Sequence, residues 1–224
     1  MMKIHTFPTD LKVSGQLFHV PGAAVEGGFT AGSVRIMSPE PGGRSVLEVQ
    51  LALRDEWNAP WISWLMSKTN GQAFRVRLTK TPQLITSKSL LAPAFSAWPR
   101  DDEEWQAPTL RNDLQTVFIT GALEGTNIVV IDVGPIGPIL KPGHVIGHLD
   151  HTYMCDDVEY VSATQARVTI TPPLRKNVTA GSTCLFTPWY LGTISNGSEI
   201  TALYESAQRG HIQPGKIVFT EVIL

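Results

Sequence analysis

The most constraining feature of the sequence is an alternating run at residues 166–171 that two adjacent prolines end. Ala166, Val168 and Ile170 are separated by polar residues, which is the period expected of a strand with one buried face. Pro172 and Pro173 follow directly. Because proline donates no hydrogen bond to a strand ladder, the pair fixes where the pairing of this strand stops. The run therefore predicts a β module built around this strand.

Turn residues divide the surrounding region into five or six short strands. Glycine and proline recur at Gly125, at residues 135–138 and at Gly143. The strands predicted between these turns are residues 117–120, 128–133, 144–149, 158–162, 166–171 and 183–186. Their number and spacing are typical of a small barrel such as an oligonucleotide/oligosaccharide-binding (OB) fold. Residues 113–186 are accordingly predicted to form an inserted, barrel-like β domain.

The N-terminal half also has strand patterns. Apolar residues alternate with polar ones at residues 47–53 and again at residues 74–78. Shorter strand candidates lie at residues 17–20 and around Val34 and Ile36, next to glycine-rich turns. These segments predict a sheet in the first half of the chain.

The C-terminal segment is predicted to complete that sheet. Residues 189–194, 200–204 and 217–224 have strand patterns, with turns predicted at Asn196-Gly197 and Pro214-Gly215. A tail of this kind has no core of its own, and an isolated hairpin is marginal in water. We therefore expect residues 1–112 and 187–224 to form one β-sandwich-like domain, and the chain as a whole to be mainly β.

One sizeable helix is predicted, between residues 55 and 71. Pro60 suits its first turn, and Gly71 suits the left-handed position past its end. Its apolar stripe, with spacings of three and four, consists of Trp57, Trp61, Trp64 and Leu65. At this spacing, packing against a sheet is favoured over a ligand platform.

The segment of residues 81–111 has no clear periodicity. Prolines interrupt it, and residues 101–104 form an acidic run. Long irregular connections are uncommon in compact domains and tend to be functional. This one is predicted to be a loop that contacts a neighbouring subunit.

Charge and cysteine content limit the classes of partner. The net charge is -2, which gives no electrostatic basis for binding nucleic acid. Charged residues make up 17% of the chain, and this favours a subunit of an assembly because interface cores are depleted of charge. The two cysteines, Cys155 and Cys184, lie in apolar contexts and are predicted to be buried thiols.

No targeting segment is predicted. Residues 1–8 have no apolar core of the kind found in signal peptides, and no stretch approaches the ~20 apolar residues of a membrane span. The sequence therefore predicts a protein made in the cytoplasm, with no membrane partner.

One cluster contains side chains of the kind that ligate metals: His144, His148, His151, Cys155, Asp156 and Asp157. On a continuing strand, His144 and His148 would share one face and His151 would point to the other. The set also lacks the two close-spaced ligand pairs that are usual in structural zinc sites. We therefore predict histidines on a solvated or interfacial strand, with no metal and no cofactor.

No enzymatic motif is found. The sequence has no nucleophile elbow, phosphate-binding loop, paired-histidine zinc motif or dinucleotide fingerprint. The acids at residues 101–104 could include the paired carboxylates of a glycosidase, but four adjacent acids are more often a solvated loop. The protein is predicted not to be an enzyme, and no residue is predicted to be catalytic.

Three segments together resemble the distal tail proteins of long-tailed bacteriophages. They are residues 29–44, the tryptophan-rich helix with the strand after it (residues 57–78), and the module from residue 140 to residue 175. The most specific pair is LKPGHVIG at residues 140–147 and RVTITPPLRKNVTAGS at residues 167–182. The resemblance covers most of the chain loosely, through short motifs.

The resemblance implies a structural role in the virion. Members of the group form six-membered rings at the tail tip that join the tail tube to the hub and fibres. A β-sandwich builds the ring, and a second β domain lies on its outside. For this chain it implies a homo-hexamer, with the tail tube protein and hub or fibre proteins as partners, assembled in the cytoplasm of a host bacterium.

An alternative function stays open at this point. The barrel-like spacing and the aromatic residues of the middle region are also compatible with a module that binds a carbohydrate or receptor on the host surface. The side chain predicted to stack on such a ligand is Trp98, Trp105 or Tyr153.

Overall fold

A computed structural model describes residues 3–8, 11, 13–21, 24–29, 35–39, 43–51, 59–85, 115–208 and 215–223. These residues form 14 strands and two helices, which confirms the predicted mainly-β fold class. Neither of these helices has the length and apolar character needed to cross a membrane.

The chain divides into two compact units. Unit 1 comprises Met1–Pro82 and Trp189–Leu224, and unit 2 comprises Gln83–Pro188. Unit 2 thus lies between two parts of unit 1 in the sequence. The sequence had suggested boundaries at residues 112–113 and 186–187, and the first of these lies outside the described residues.

Unit 1 contains a six-stranded sheet, a separate two-stranded sheet and both helices. Its elements are β1 (Ile4–Thr6), β2 (Val13–His19), β3 (Ala24–Phe29), β4 (Arg35–Pro39), β5 (Val46–Leu51), α1 (Ala59–Met66), β6 (Ala73–Arg77), β13 (Trp189–Ile194), α2 (Gly197–Gln208) and β14 (Gly215–Glu221). The strand order of the large sheet is β1-β6-β13-β14-β5-β2, and β3 pairs with β4. Except for the parallel pair β1 and β6, neighbouring strands in these sheets are antiparallel.

Alternation along the strands builds the core of unit 1. Phe74, Tyr190 and Phe219 are among the side chains on its buried face, and each is at most 1% exposed. Helix α1 packs on the same core through Trp64, whose ring meets that of Phe74 edge to face with centroids 5.8 Å apart. The predicted packing of the tryptophan stripe is therefore confirmed for Trp64, whereas Trp57 lies outside the described residues.

The predicted strand at residues 200–204 is wrong, because these residues belong to α2. The prediction of a single sizeable helix is corrected with it, since α2 has 12 residues and α1 has 8. Asn196 directly precedes α2, and its Nδ2 donates to the Glu199 carboxylate at 2.8 Å. Ile200 and Leu203 then recur at helical spacing, and a Cβ added at Gly215 of β14 would stand only 2.3 Å from Leu203. A side chain at Gly215 would therefore require Leu203 of α2 to move.

Unit 2 contains one six-stranded sheet. Its strands are β7 (Gln115–Val117), β8 (Ile128–Asp132), β9 (Val145–His148), β10 (His151–Tyr160), β11 (Gln165–Thr171) and β12 (Thr183–Leu185). They are arranged in the order β7-β12-β9-β10-β11-β8. The edge strands meet again just after β7, where Phe118 forms a bridge with Ile131 and the Ile119 amide donates to the Val130 carbonyl at 2.8 Å. The sheet therefore curls round on itself and encloses a core.

Strand β10 begins earlier than the predicted strand at residues 158–162. Tyr153 and Cys155 point into the core and are 0% exposed. The register against β11 then shifts between Cys155 and Asp157, which marks a β-bulge. Asp156 and Asp157 lie at this bulge, and the strand continues through it to Tyr160.

Candidate functional site

The predicted histidine cluster is divided by a hairpin turn. Strands β9 and β10 are joined by Leu149 and Asp150, so that His148 and His151 lie opposite each other as Cα partners. Both side chains are buried, at 6% and 5% exposure. Of the two predicted environments, a solvated strand is therefore wrong for His148 and His151, because the turn folds both of them into unit 2, and an interfacial strand stays a prediction.

Neighbouring backbone groups and an aromatic ring hold the side chains of His148 and His144. His148 Nδ1 lies 3.2 Å from the Thr183 carbonyl oxygen, and its ring meets that of Phe118 edge to face at 5.4 Å. His144 lies before β9, and its Nδ1 accepts a hydrogen bond of 3.0 Å from the Lys141 amide. These contacts hold the two rings as structural parts of the module.

The remaining members of the cluster do not converge with the histidines on one point. Cys155 is buried, whereas Asp156 and Asp157 are exposed. Across the described ranges, no group of three or more histidine, cysteine, aspartate or glutamate side chains is arranged to hold a metal ion.

His144 makes the stability of unit 2 depend on pH, and the expected direction is a loss of stability in acid. Burial, and secondarily the charge of Lys141, lower the pKa of His144 below the ordinary value of 6.5. Below about pH 6.5 the unfolded chain therefore binds the proton more readily than the folded chain, and stability falls as the pH falls towards the lowered pKa. The neutral ring is also the form that accepts the Lys141 amide.

We expect the melting temperature to fall more steeply between pH 7.5 and 5 in the wild-type chain than in His144→Gln. Glutamine can still accept a hydrogen bond in this position, but it does not titrate. Thermal unfolding across that pH range measures the difference. Parallel pH profiles for the two chains would contradict the assigned role of His144.

Both cysteines are free thiols in the core of unit 2, as predicted. Burial, followed by the charge of Asp156, raises the pKa of Cys155 to about 12. Burial also raises the pKa of Cys184 well above its ordinary value. Because the thiolate is the reactive form, both side chains are chemically inert in the folded chain.

Alkylation should therefore report unfolding of unit 2. Iodoacetamide at pH 8 is expected to leave Cys155 and Cys184 unmodified in the native protein and to modify both in guanidinium chloride. Intact mass measurement counts the adducts. Rapid labelling of either cysteine under native conditions would show that its surroundings are open.

Tyr153 cannot stack on a ligand. The side chain is 0% exposed, and its hydroxyl accepts a hydrogen bond from the Arg175 amide at 3.1 Å. Its proposed place in a carbohydrate site is therefore corrected to a place in the core, because it occupies an inward-facing position of β10. Trp98, Trp105 and the acidic run at residues 101–104 lie outside the described residues.

The described part of unit 2 contains an open concavity with a volume of about 600 Å³. It lies beside the junction of β7 and β8, and Asp132 at its margin accepts a hydrogen bond from the Gly134 amide at 2.8 Å. Its apolar and polar lining includes Val117, Ile119, Asp132, Pro135, Thr164 and Gln165. The lining includes no aromatic side chain, so it does not provide the stacking surface that a sugar-binding site would use.

Two further features were not singled out in the sequence. Leu149, at the tip of the β9–β10 hairpin, is 58% exposed and has a φ of 54°, a conformation that leucine rarely adopts. The strands β3 and β4 form a sheet of their own. The sequence indicated strand character near Val34 and Ile36 but carried no signal that this hairpin would stand apart from the main sheet.

No protein-family model matches the chain, and no curated protein matches it either. The structure itself therefore defines the class of the protein, which is a mainly-β chain divided into two units.

Proposed function

We propose that the chain is a structural subunit of the tail tip of a long-tailed bacteriophage and forms a homo-hexameric ring between the tail tube and the hub and fibres. The observation that carries the proposal is the position of β13. This strand follows unit 2 in the sequence and pairs with β6 on one side and β14 on the other. This chain path supports the proposal, because the resemblance implies a ring domain that is interrupted in the sequence by an outer β module.

Contacts at the start of β13 hold this strand against β6 within unit 1. Arg75 and Arg77 of β6 lie over the ring of Trp189, the first residue of β13, with guanidinium carbons 4.5 and 5.5 Å from the ring centroid. The pairing from Trp189↔Arg77 to Thr193↔Ala73 extends along the whole of β6. The strand that follows unit 2 in the sequence is thus paired on both sides within the large sheet, as a stable ring subunit requires.

The composition supports an assembled state. Charged residues are 17% of the chain, and described side chains such as Ile4 and Leu17 of unit 1 expose 45% and 48% of their surface. In the proposed assembly, unit 1 contacts its own copies and the tail tube protein, and unit 2 lies outside the ring near hub or fibre proteins. The proposal places the protein in the virion, assigns it no enzymatic activity, and includes no nucleic-acid or membrane partner.

Labelling of particles tests the proposal. Antibodies raised against the purified chain are applied to tailed particles released by the bacterium that carries its gene, and bound gold is located by electron microscopy. The expected result is label at the end of the tail distal to the head. Label along the whole tube, on the head only, or on no particle would refute the assignment.

A further inference from the structure

The chain contains two Asn-Gly dipeptides, at residues 70–71 and 196–197. Asparagine is a chemically labile residue. A following glycine makes it more so, because glycine has no side chain to hinder the approach of its own amide nitrogen to the asparagine side chain. Both dipeptides belong to unit 1, but their surroundings differ. The same reactive pair therefore occurs in one chain in two environments.

Asn70 and Gly71 lie in the turn between α1 and β6, and both are exposed. Gly71 has a φ of 78°, in the left-handed region that glycine adopts without strain. A Cβ added to Gly71 would meet no atom within 4 Å. In the part of the chain that the structure describes, no group forms a hydrogen bond with the Asn70 side chain. The side-chain amide of Asn70 can therefore rotate towards the main chain without losing a contact.

The Asn196 side chain, in contrast, is held by three hydrogen bonds. Its Nδ2 donates to the Glu199 carboxylate and to the Lys216 carbonyl, and its Oδ1 accepts from the Val218 amide, each at 2.8 Å. Gly197 is the first residue of α2, so the helix fixes its backbone. Attack by the Gly197 amide nitrogen would require the Asn196 side chain to leave all three partners and the start of α2 to distort.

We propose that Asn70 is a site of spontaneous deamidation and that Asn196 is protected from the same reaction. The Gly71 amide nitrogen gives up its proton and bonds to Cγ of Asn70, while the bond from Cγ to Nδ2 breaks and ammonia leaves. Water then opens the cyclic succinimide. Cleavage of its bond between the Gly71 nitrogen and Cγ gives aspartate, and cleavage of the bond to the main-chain carbonyl carbon gives isoaspartate. The reaction consumes one water molecule and releases one ammonia molecule.

Isoaspartate at this position lengthens the main chain of the turn and adds a negative charge. Thr69 directly precedes Asn70, and its Cβ lies 3.3 Å from the position of a Cβ added to Gly197 at the start of α2. Two residues after Asn70, Gln72 Oε1 lies 2.5 Å from His5 Nε2 of β1. The modified turn therefore lies between a contact to α2 and a contact to β1. This inference does not depend on the proposed function.

Peptide mapping of the aged protein tests the proposal. The folded full chain is incubated at pH 8 and digested with trypsin, which releases Asn70 in residues 69–75 and Asn196 in residues 177–209. Mass spectrometry detects the exchange of an amide for a carboxyl group, and methylation by a protein isoaspartyl methyltransferase detects isoaspartate. Chain digested without incubation gives the starting level. We expect Asn70 to react about tenfold faster than Asn196, because the Asn196 side chain must first leave its partners.

Two controls separate the effect of the fold from that of the dipeptide. In guanidinium chloride the two sites should react at similar rates, because the hydrogen bonds of Asn196 are lost. Asn70→Gln keeps an exposed amide on a longer side chain, and it should abolish the isoaspartate signal of the folded chain. The proposal is overturned by equal rates at Asn70 and Asn196 in the folded chain. It is also overturned if folded Asn70 stays intact while the unfolded chain reacts, or if the signal persists in Asn70→Gln.

Discussion

Replacing Tyr153 with alanine is expected to lower the free energy of unfolding of unit 2 by about 3–5 kcal/mol, in the range measured for large aromatic residues truncated in a core. The side chain is 0% exposed and lies in the same apolar cluster as Phe118, Cys155 and Phe186. Its loss leaves a cavity and also leaves the buried Arg175 amide without its hydroxyl acceptor. Hydrogen exchange of β10 and β11 measures the local loss of stability.

Tyr153→Phe is the matched control. It keeps the ring and removes only the hydroxyl, so the expected loss is about 1 kcal/mol. If Tyr153→Ala left the exchange of β10 and β11 unchanged, the side chain would not be part of the core. We would then have to reconsider a surface position for Tyr153, which a ligand-stacking residue requires.

Replacing Gln16 with leucine is expected to lower the free energy of unfolding of unit 1 by about 2–4 kcal/mol. The side chain is 6% exposed and makes three hydrogen bonds to the chain at the end of β6. Its Nε2 donates to the Arg77 carbonyl at 2.8 Å, and its Oε1 accepts from the amides of Thr79 and Lys80 at 2.6 and 2.8 Å. Leucine has a similar size but leaves all three groups without their side-chain partner.

Two variants serve as controls for Gln16. Gln16→Glu keeps an acceptor for the two amides and loses the donor, so its effect should be smaller than that of leucine. Gln50→Leu changes an exposed glutamine on β5, and the expected effect is within about 0.5 kcal/mol. Urea unfolding followed by tryptophan fluorescence compares the variants. Equal stability of Gln16→Leu and Gln50→Leu would show that the Gln16 contacts do not stabilise the sheet.

The strands with one buried face could be predicted from the sequence because each has a simple period. Residues 47–53 and 166–171 alternate clearly, and the structure has β5 at Val46–Leu51 and β11 at Gln165–Thr171. The helix around Trp61 and Trp64 was predictable for the same reason, since its stripe has helical spacing. These elements carry their burial pattern within a few consecutive residues.

The errors arose where a local pattern had two readings. Asn196-Gly197 is a strong hairpin signal, yet in the structure Asn196 directly precedes a helix. The Asn196 side chain also binds the backbone of β14. It donates to the Lys216 carbonyl and accepts from the Val218 amide, both at 2.8 Å. That tertiary contact decides in favour of α2, and the helical spacing of Ile200 and Leu203 is too short a pattern to predict the helix by itself.

The candidate site was less predictable than the fold. Burial of His148, His151 and Tyr153 depends on the β9–β10 turn and on the curling of the unit 2 sheet. Among the described strands, β3 and β4 pair only with each other, and this depends on the complete set of strand pairings. Neither feature is encoded in the spacing of a few residues.

We propose that copies of this chain form a closed ring of six. Native mass spectrometry of the purified protein, combined with class averages from negative-stain electron microscopy, tests this proposal. The predicted result is a dominant species of six times the 24.5 kDa chain mass, seen as a ring with a central channel. A protein that remains monomeric, or that stops at a two-fold dimer, at every concentration would contradict the claim.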